Sequence, residues 1–203
     1  AQPLRECTRR AGLLLRRPGA KAVHAAVLPT RRWRCPRHAP GDSMKLFLRQ
    51  ATNGDAPFCE ALNRRNMDRY RAVRKVRWDA ERFRRSWAEF DNLLILDDIE
   101  PVGLLRLCDE DGTLGLRDLQ VVPERQGQGI GTWAVRQTQA LALERGSVGV
   151  QLRVYEENPA SRLSLRLGFE TRYVDDGVIH MAWTPPLDRS SAAAGTLDPR
   201  GTR

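Results

Sequence analysis

A regular succession of apolar and polar positions begins only at Met44. Leu46 and Leu48 alternate with polar neighbours, which is the period of a half-buried strand. Thr52 and Asp55, three residues apart, form a helix start signal, and the helix is expected to run to about Asn66. After a basic stretch from Arg69 to Arg77, Asp79 can cap a second helix in which Phe83, Trp87 and Phe90 fall on one face, a core-facing stripe. Residues 93–97, 102–108 and about 114–122 read as strands, with Asp-Gly turn chemistry at Asp111-Gly112. Three strands in hairpin succession predict an antiparallel half-sheet.

The second half is punctuated by glycine. A loop from Arg125 through Gly127, Gly129 and Gly131 leads into a helix expected to reach about Arg145, closed by Gly146. A strand is expected over residues 148–155. Asn158-Pro159 then places a capping residue before a proline and opens a helix that ends at Gly168. Residues 169–174 and 178–183 read as a final hairpin across Asp175-Asp176-Gly177. Outside these limits the pattern is lost. Residues 1–43 mix Arg, Pro and Gly and are expected to be a disordered basic leader, or an extension foreign to the native protein with Met44 as its start. Residues 186–203 read as a flexible tail, which leaves 44–185 as one α/β domain.

Charge changes the picture once it is located. The 203 residues hold 34 Lys and Arg against 25 Asp and Glu, a formal net charge of +9 that suggests a nucleic-acid or acidic partner. Residues 1–43 hold ten of the bases and two of the acids, so the rest of the chain carries 24 against 23 and is nearly neutral. Nucleic-acid binding by the folded body is therefore not expected. No apolar run approaches the roughly 20 residues of a membrane span. The four cysteines form no Cys-x-x-Cys pair, so reduced thiols are expected, with Cys59 and Cys108 as small core residues. His180 alone lies outside the leader, so neither a histidine-rich metal site nor a Ser-His-Asp triad can be assembled from the body, and no metal is expected.

A strand, a glycine loop and a helix together make an anion site, because backbone N–H groups converge at a positively polarised helix N-terminus. The loop lacks the Lys of a nucleotide triphosphatase loop and the Gly-x-Gly-x-x-Gly spacing of a dinucleotide fold. Gln126-Gly127-Gln128-Gly129-Ile130-Gly131, directly after Val121-Val122-Pro123, instead resembles the acetyl-CoA loop of the GNAT superfamily of N-acetyltransferases. A second signature of that superfamily is matched about thirty residues on by Ala160-Ser161-Arg162-Leu163-Ser164-Leu165-Arg166-Leu167-Gly168-Phe169. The resemblance covers roughly residues 44–183. It implies an α/β (α+β) GNAT fold: a mixed, mostly antiparallel sheet of six or seven strands, splayed after the strand that precedes the loop and flanked by about four helices.

The resemblance also implies roles. The backbone of Leu119, Gln120 and Val121 should pair with the pantetheine arm of acetyl-CoA, and a bulge near Val121 should offer an N–H to the oxyanion. Residues Gln126, Gly127, Gln128, Gly129, Ile130, Gly131 and Thr132 should wrap the pyrophosphate, with Asn158 at the far end of the cofactor. Acyl transfer to an amine needs a proton acceptor. Asp118, Glu156 and Glu157 are candidates, Asp118 foremost. The superfamily usually places a Tyr acid where this chain has Ser164, a far weaker acid, so Tyr155 is a second candidate for protonating the departing thiolate. The amine acceptor is expected near Asn66, Met67, Tyr70 and Trp78, where Arg64 to Arg77 make the surface basic. The expected activity is a cytoplasmic acetyl-CoA-dependent N-acetyltransferase acting on a small-molecule or protein amine by direct attack. An acyl-CoA-binding sensor or pseudoenzyme is the alternative, and a homodimer is left open.

Overall fold

The structure is a computed structural model that describes residues 44–186, so the expected leader and almost all of the expected tail lie outside the described residues. The described residues form seven strands and four α-helices. They are β1 (Leu46–Gln50), α1 (Ala56–Val73), α2 (Ala80–Glu89), β2 (Asp91–Asp97), β3 (Glu100–Glu110), β4 (Thr113–Val121), α3 (Ile130–Glu144), β5 (Val150–Tyr155), α4 (Ala160–Arg166), β6 (Glu170–Asp175) and β7 (Val178–Trp183). All strands join one sheet in the order β1-β2-β3-β4-β5-β7-β6. Every neighbouring pair is antiparallel except β4 and β5.

Local chemistry explains most boundaries. Thr52 and Asp55 form a capping box, but it closes a short 3-10 turn from which α1 continues, with Pro57 in its first turn. The helix expected to end near Asn66 reaches Val73, because Arg69, Tyr70, Arg71 and Ala72 are acceptable helix residues and the chain is not turned until Lys75 adopts φ 54°. The Asp79 carboxylate accepts from the Arg82 N–H at 2.8 Å and caps α2. Phe90, expected on that helix's stripe, lies just past its end. The strand expected from Val148 starts at Val150. Asp111-Gly112 and Asp176-Gly177 both have positive φ at two successive positions, the conformation that two-residue hairpins favour.

The sheet separates two apolar layers. On one side Ile130, Trp133, Ala134 and Val135 of α3 pack against Leu105, Leu107, Leu114, Val150, Leu152 and Met181. On the other, Cys59 and Leu62 of α1 and Phe83 of α2 pack against Leu94, Leu96 and Leu104. Cys59 and Cys108 are both buried, as expected of core thiols, and among the described residues neither joins a disulfide. No described helix is long and apolar enough to cross a membrane.

Candidate functional site

The site follows from a defect in β4. Leu107 pairs with Leu116, whereas Arg106 pairs with Asp118, so Arg117 is an extra residue in β4. The expected bulge near Val121 thus sits four residues earlier. Before it, the Leu114 N–H donates to Gly149 O of the neighbouring chain segment, so even-numbered backbone groups face β5. Beyond it the Val122 N–H donates to Val102 O, so even-numbered groups face β3 instead. A Cβ placed on Gly103 would meet Gln120 O at 2.5 Å, which confirms that the Gln120 backbone is turned toward β3. The backbones of Leu119 and Val121 therefore point to the β5 side, and that of Gln120 does not. This corrects the expectation that all three present themselves together.

On that side no described strand pairs with Leu119 or Val121. Pairing between β4 and β5 is confined to Leu114–Leu116 against Val150–Leu152. Past that point the sheet opens into a gap. At its upper end the Val121 carbonyl accepts from Asn66 Nδ2 and Gln126 Nε2, both at 3.0 Å. Pro123–Arg125 form a 3-10 turn, and residues 126–129 carry the chain to α3. Gly127 has φ 73° and Gly129, the residue capping α3, has φ 89°, a region that a side chain with a Cβ enters only at a cost. Gln128 reaches back to Glu124 O, and its own oxygen accepts from Arg125. Ile130 is buried, anchoring the first turn of α3 while Gly131 and Thr132 follow it. Asn158 Oδ1 accepts from the Ala160 N–H at 3.0 Å, but the helix starts one residue later than expected: Pro159, expected at its first position, is the N-cap, and Asn158 precedes it.

The bulge has a second effect, on side chains. Because two adjacent residues oppose one, Arg117 and Asp118 both project toward the α1/α2 face, Arg117 to Cys108 and Glu110, and Asp118 to α1. The Asp118 carboxylate accepts from Asn63 Nδ2 and Gln120 Nε2, each at 2.7 Å. The residue keeps some exposure, yet its carboxyl is packed deeply enough that burial raises its pKa. The hydrogen bonds from Gln120 and Asn63 and the charges of Arg106 and Arg71 pull the other way. Glu157 behaves oppositely. It forms a two-pronged ion pair with Arg74 that holds it below the usual carboxylate value, and so it is unsuited to accept a proton. Glu156 is exposed.

A cleft of about 1320 Å³ runs across this face from α1 and α2 to the β6–β7 hairpin, and Asp118, Leu119, Gln120, Tyr155, Asn158, Ser164 and Trp78 line it. Ser164 is buried and its hydroxyl donates to Ala160 O at 3.2 Å, so its proton is engaged within α4. The Tyr155 ring lies under the Arg74 guanidinium, 4.5 Å from its centroid, and 6.3 Å from the Tyr70 ring. Among the expected acceptor residues, Met67 and Trp78 line the cleft and Asn66 and Tyr70 do not. Asn66 is held on Gln120 and Val121, while Tyr70 is buried and receives a hydrogen bond from Arg69. The basic surface from Arg64 to Arg77 is largely compensated. Arg65 pairs with Glu124, Arg71 with Asp68, and Arg74 with Glu157, while Arg64 and Arg71 stack on Trp78.

Sequence reasoning missed Asn63 and Arg74. Asn63 precedes Asn66 by three residues, the spacing that puts both on the face toward β4, so the signal was available. Arg74 joins α1 to Glu157 and to the Asp176 and Gly177 carbonyls of the last hairpin, partners too distant in sequence to be guessed. Among the described residues no cluster suited to a metal ion is present.

Comparison with known proteins gives one family. Residues 59–169, just over half of the chain, match the acetyltransferase (GNAT) family. No curated protein matches the sequence. Among solved structures, the PaiA N-acetyltransferase of Thermoplasma acidophilum in complex with coenzyme A aligns with a TM-score of 0.58 at 16% identity, over 70% of this chain and 100% of that one. The ribosomal-protein-S18-alanine N-acetyltransferase of Escherichia coli aligns with a TM-score of 0.57 at 18% identity, over 68% and 93%. The spermidine N-acetyltransferase of Vibrio cholerae in complex with CoA and spermine aligns at 0.55 and 19%, over 68% and 95%. At such identities these likenesses speak for the fold.

Proposed function

The chain belongs to the acetyltransferase (GNAT) family, and from that premise we propose that it moves the acetyl group of acetyl-CoA to a primary amine by direct attack, with Asp118 as proton acceptor. One observation carries the reading. The bulge at Arg117 turns the Leu119 and Val121 backbone into the sheet gap and, on the adjacent face, sets a carboxylate with a raised pKa beside a cleft.

When bound, acetyl-CoA supplies an activated thioester carbonyl. The chain's own contributions follow from its geometry. The Leu119 N–H and C=O and the Val121 N–H offer the hydrogen bonds of a missing strand to an extended amide-bearing ligand, while the Val121 carbonyl is held by Asn66 and Gln126. An N–H of this pair is also the donor available to a carbonyl oxygen that gains negative charge. The loop from Gln126 to Thr132 offers backbone N–H groups at the N-terminus of α3, where two glycines with positive φ leave the backbone open to an anion. Asn158 stands at the far wall.

An ammonium acceptor must lose a proton before it attacks. Asp118, held by Asn63 and Gln120, is fixed in position, and its burial makes it a stronger base than a solvated carboxylate. Tyr155 is the hydroxyl on the cleft wall best suited to return a proton to the leaving thiolate, and Arg74 fixes its ring. Trp78 and Met67 line the acceptor side. The test is acetyl-CoA turnover by the full chain over a broad amine panel, read as release of free CoA thiol. Amine-dependent release is expected. Tight CoA binding without release above background for any amine would overturn the reading in favour of an acyl-CoA sensor.

A further inference from the structure

The acceptor wall contains a cationic group that the chemistry above does not use. Arg153 follows Leu152, the last β5 residue paired with β4, and so stands at the point where the sheet opens. Its neighbours on either side, Leu152 and Val154, are buried in the α3 layer, so alternation sends Arg153 to the α1/α2 face, where it lines the cleft. Among the described residues no hydrogen bond or ion pair reaches its guanidinium. It is half-buried, and burial followed by the charge of Arg117 lowers its pKa.

Arg117 occupies the bulge on the facing strand and pairs with Glu110, with its Nε 3.0 Å from Cys108 Sγ. Arg153 is thus a half-buried guanidinium at the mouth of the gap, beside the Arg117–Glu110 pair, and among the described residues no hydrogen-bonded carboxylate answers its charge. Holding such a charge away from water is unfavourable unless an anion completes the arrangement. The surroundings would shape that anion's entry. His180, opposite Arg153 in β7, stacks on Tyr173 at 4.1 Å and walls the far side.

Distance along β4 links this group to the reaction. Arg117 and Asp118 are adjacent and share a face, so an amine at Asp118 would place a substituent a few ångströms long near Arg153 and Arg117. We propose that Arg153, with Arg117, forms a carboxylate-binding subsite, and that the acceptor is an amine carrying a carboxylate close to its nitrogen, of the amino-acid type. This moves the basic determinant from the helix surface between Arg64 and Arg77 to the sheet face. A guanidinium rather than an ammonium suits the task because its planar fork holds both carboxylate oxygens. The substrate class rests on the acetyl-transfer reading, but the subsite is testable without turnover.

The first experiment measures, by calorimetry on the CoA-saturated full chain, binding of N-acetylglycine and N-acetylphenylalanine against their carboxamides. Binding of the acids and not the amides is expected, with a loss of roughly tenfold or more in Arg153→Gln, partly restored in Arg153→Lys. Arg84→Gln, on the outer side of α2, is the charge-matched control and should bind as the wild type does. Equal affinity for acid and amide, affinity unaffected by Arg153→Gln, or displacement of both acids by inorganic phosphate as the tighter ligand would overturn the subsite. The second experiment compares kcat/KM for free amino acids and their carboxamides. Preference for the acid, lost through KM in Arg153→Gln, is expected. Arg153-dependent acid binding without any acetylation would leave the subsite standing and sink the enzymatic reading alone.

Discussion

The two sides of β4 are built from different materials. Toward the gap, the site consists of backbone: the Leu119 and Val121 amide groups and a glycine loop at the start of α3. Toward α1 and α2, it consists of side chains held by other side chains, with Asp118 fixed by Asn63 and Gln120, and Tyr155 covered by Arg74. Backbone geometry is indifferent to most substitutions and sensitive to those that change φ. A side-chain wall is sensitive to any loss of a charged or hydrogen-bonding group. One bulged residue, Arg117, creates both sides, since the same shift in parity that turns the backbone into the gap turns Asp118 onto α1. The difference predicts which variants should impair the chemistry and which should impair ligand affinity.

The largest effect is expected on the side-chain wall. Asp118→Asn removes the proposed proton acceptor and should lower kcat by about 10² to 10⁴, while CoA affinity stays within about twofold because the backbone side is untouched. The pH profile provides a second readout. A base works when deprotonated, so kcat/KM of the wild type should rise with pH through a pKa above the ordinary carboxylate value, and that limb should vanish in the variant. Stability changes in the opposite sense. A carboxyl whose pKa is raised by folding favours the folded state while protonated, below its unfolded pKa, and this is lost as pH rises through the folded pKa. Chemical denaturation across that range should therefore show the stability difference moving in the variant's favour as pH increases.

Next comes the backbone side. Gly129→Val forces a β-branched residue into φ 89°, which costs roughly 1–3 kcal/mol or else rearranges the loop. CoA affinity should fall by about fivefold to a hundredfold by calorimetry, with kcat at saturation reduced far less than in Asp118→Asn. If kcat collapsed while affinity held, the assignment of the loop to ligand binding would be wrong.

The same contrast governs how much could be read from the sequence. The glycine loop, the start of α4 to within one residue and the Asp-Gly turns were legible because each is a local requirement on φ or on a turn. The bulge was not. Simple alternation through Leu114, Leu116, Asp118 and Gln120 would place all four on one face, and nothing in the residues says where an extra one is inserted. Every position on the side-chain wall depends on that insertion, which is why Gln120 was expected to offer its backbone and offers its side chain instead. Asn66 and Tyr70 were expected beside the acceptor and do not line the cleft, since Asn66 is held on Gln120 and Tyr70 packs beside Tyr155. Long-range ties such as Arg74 to Glu157 leave no local trace.

A smaller effect is expected at the leaving-group end. Tyr155→Phe keeps the ring under Arg74 and removes only the hydroxyl, so kcat should fall by about tenfold if Tyr155 returns the proton, with the fold and CoA affinity retained. The drop should shrink with an acetyl thioester whose thiol is more acidic, since such a leaving group needs less help. A drop independent of thiol acidity would mean that the hydroxyl acts in another way.

The smallest effect belongs to Ser164, which stands where the family usually carries a tyrosine. Its hydroxyl is 5% exposed as a residue and donates to Ala160 O one turn earlier in α4, a bond made by many helical serines without any catalytic purpose. Donating that proton to a thiolate would require breaking the bond and ionising an alcohol, which is far harder than ionising a phenol. Ser164→Ala should therefore leave kcat within about twofold of the wild type, since a net intrahelical hydrogen bond of roughly 1 kcal/mol is all that is removed. Thermal denaturation should register that loss more clearly than the assay does. Measured beside Tyr155→Phe with the same acceptor, the pair decides which wall of the cleft supplies the proton: a large loss in Ser164→Ala and none in Tyr155→Phe would move it from β5 to α4.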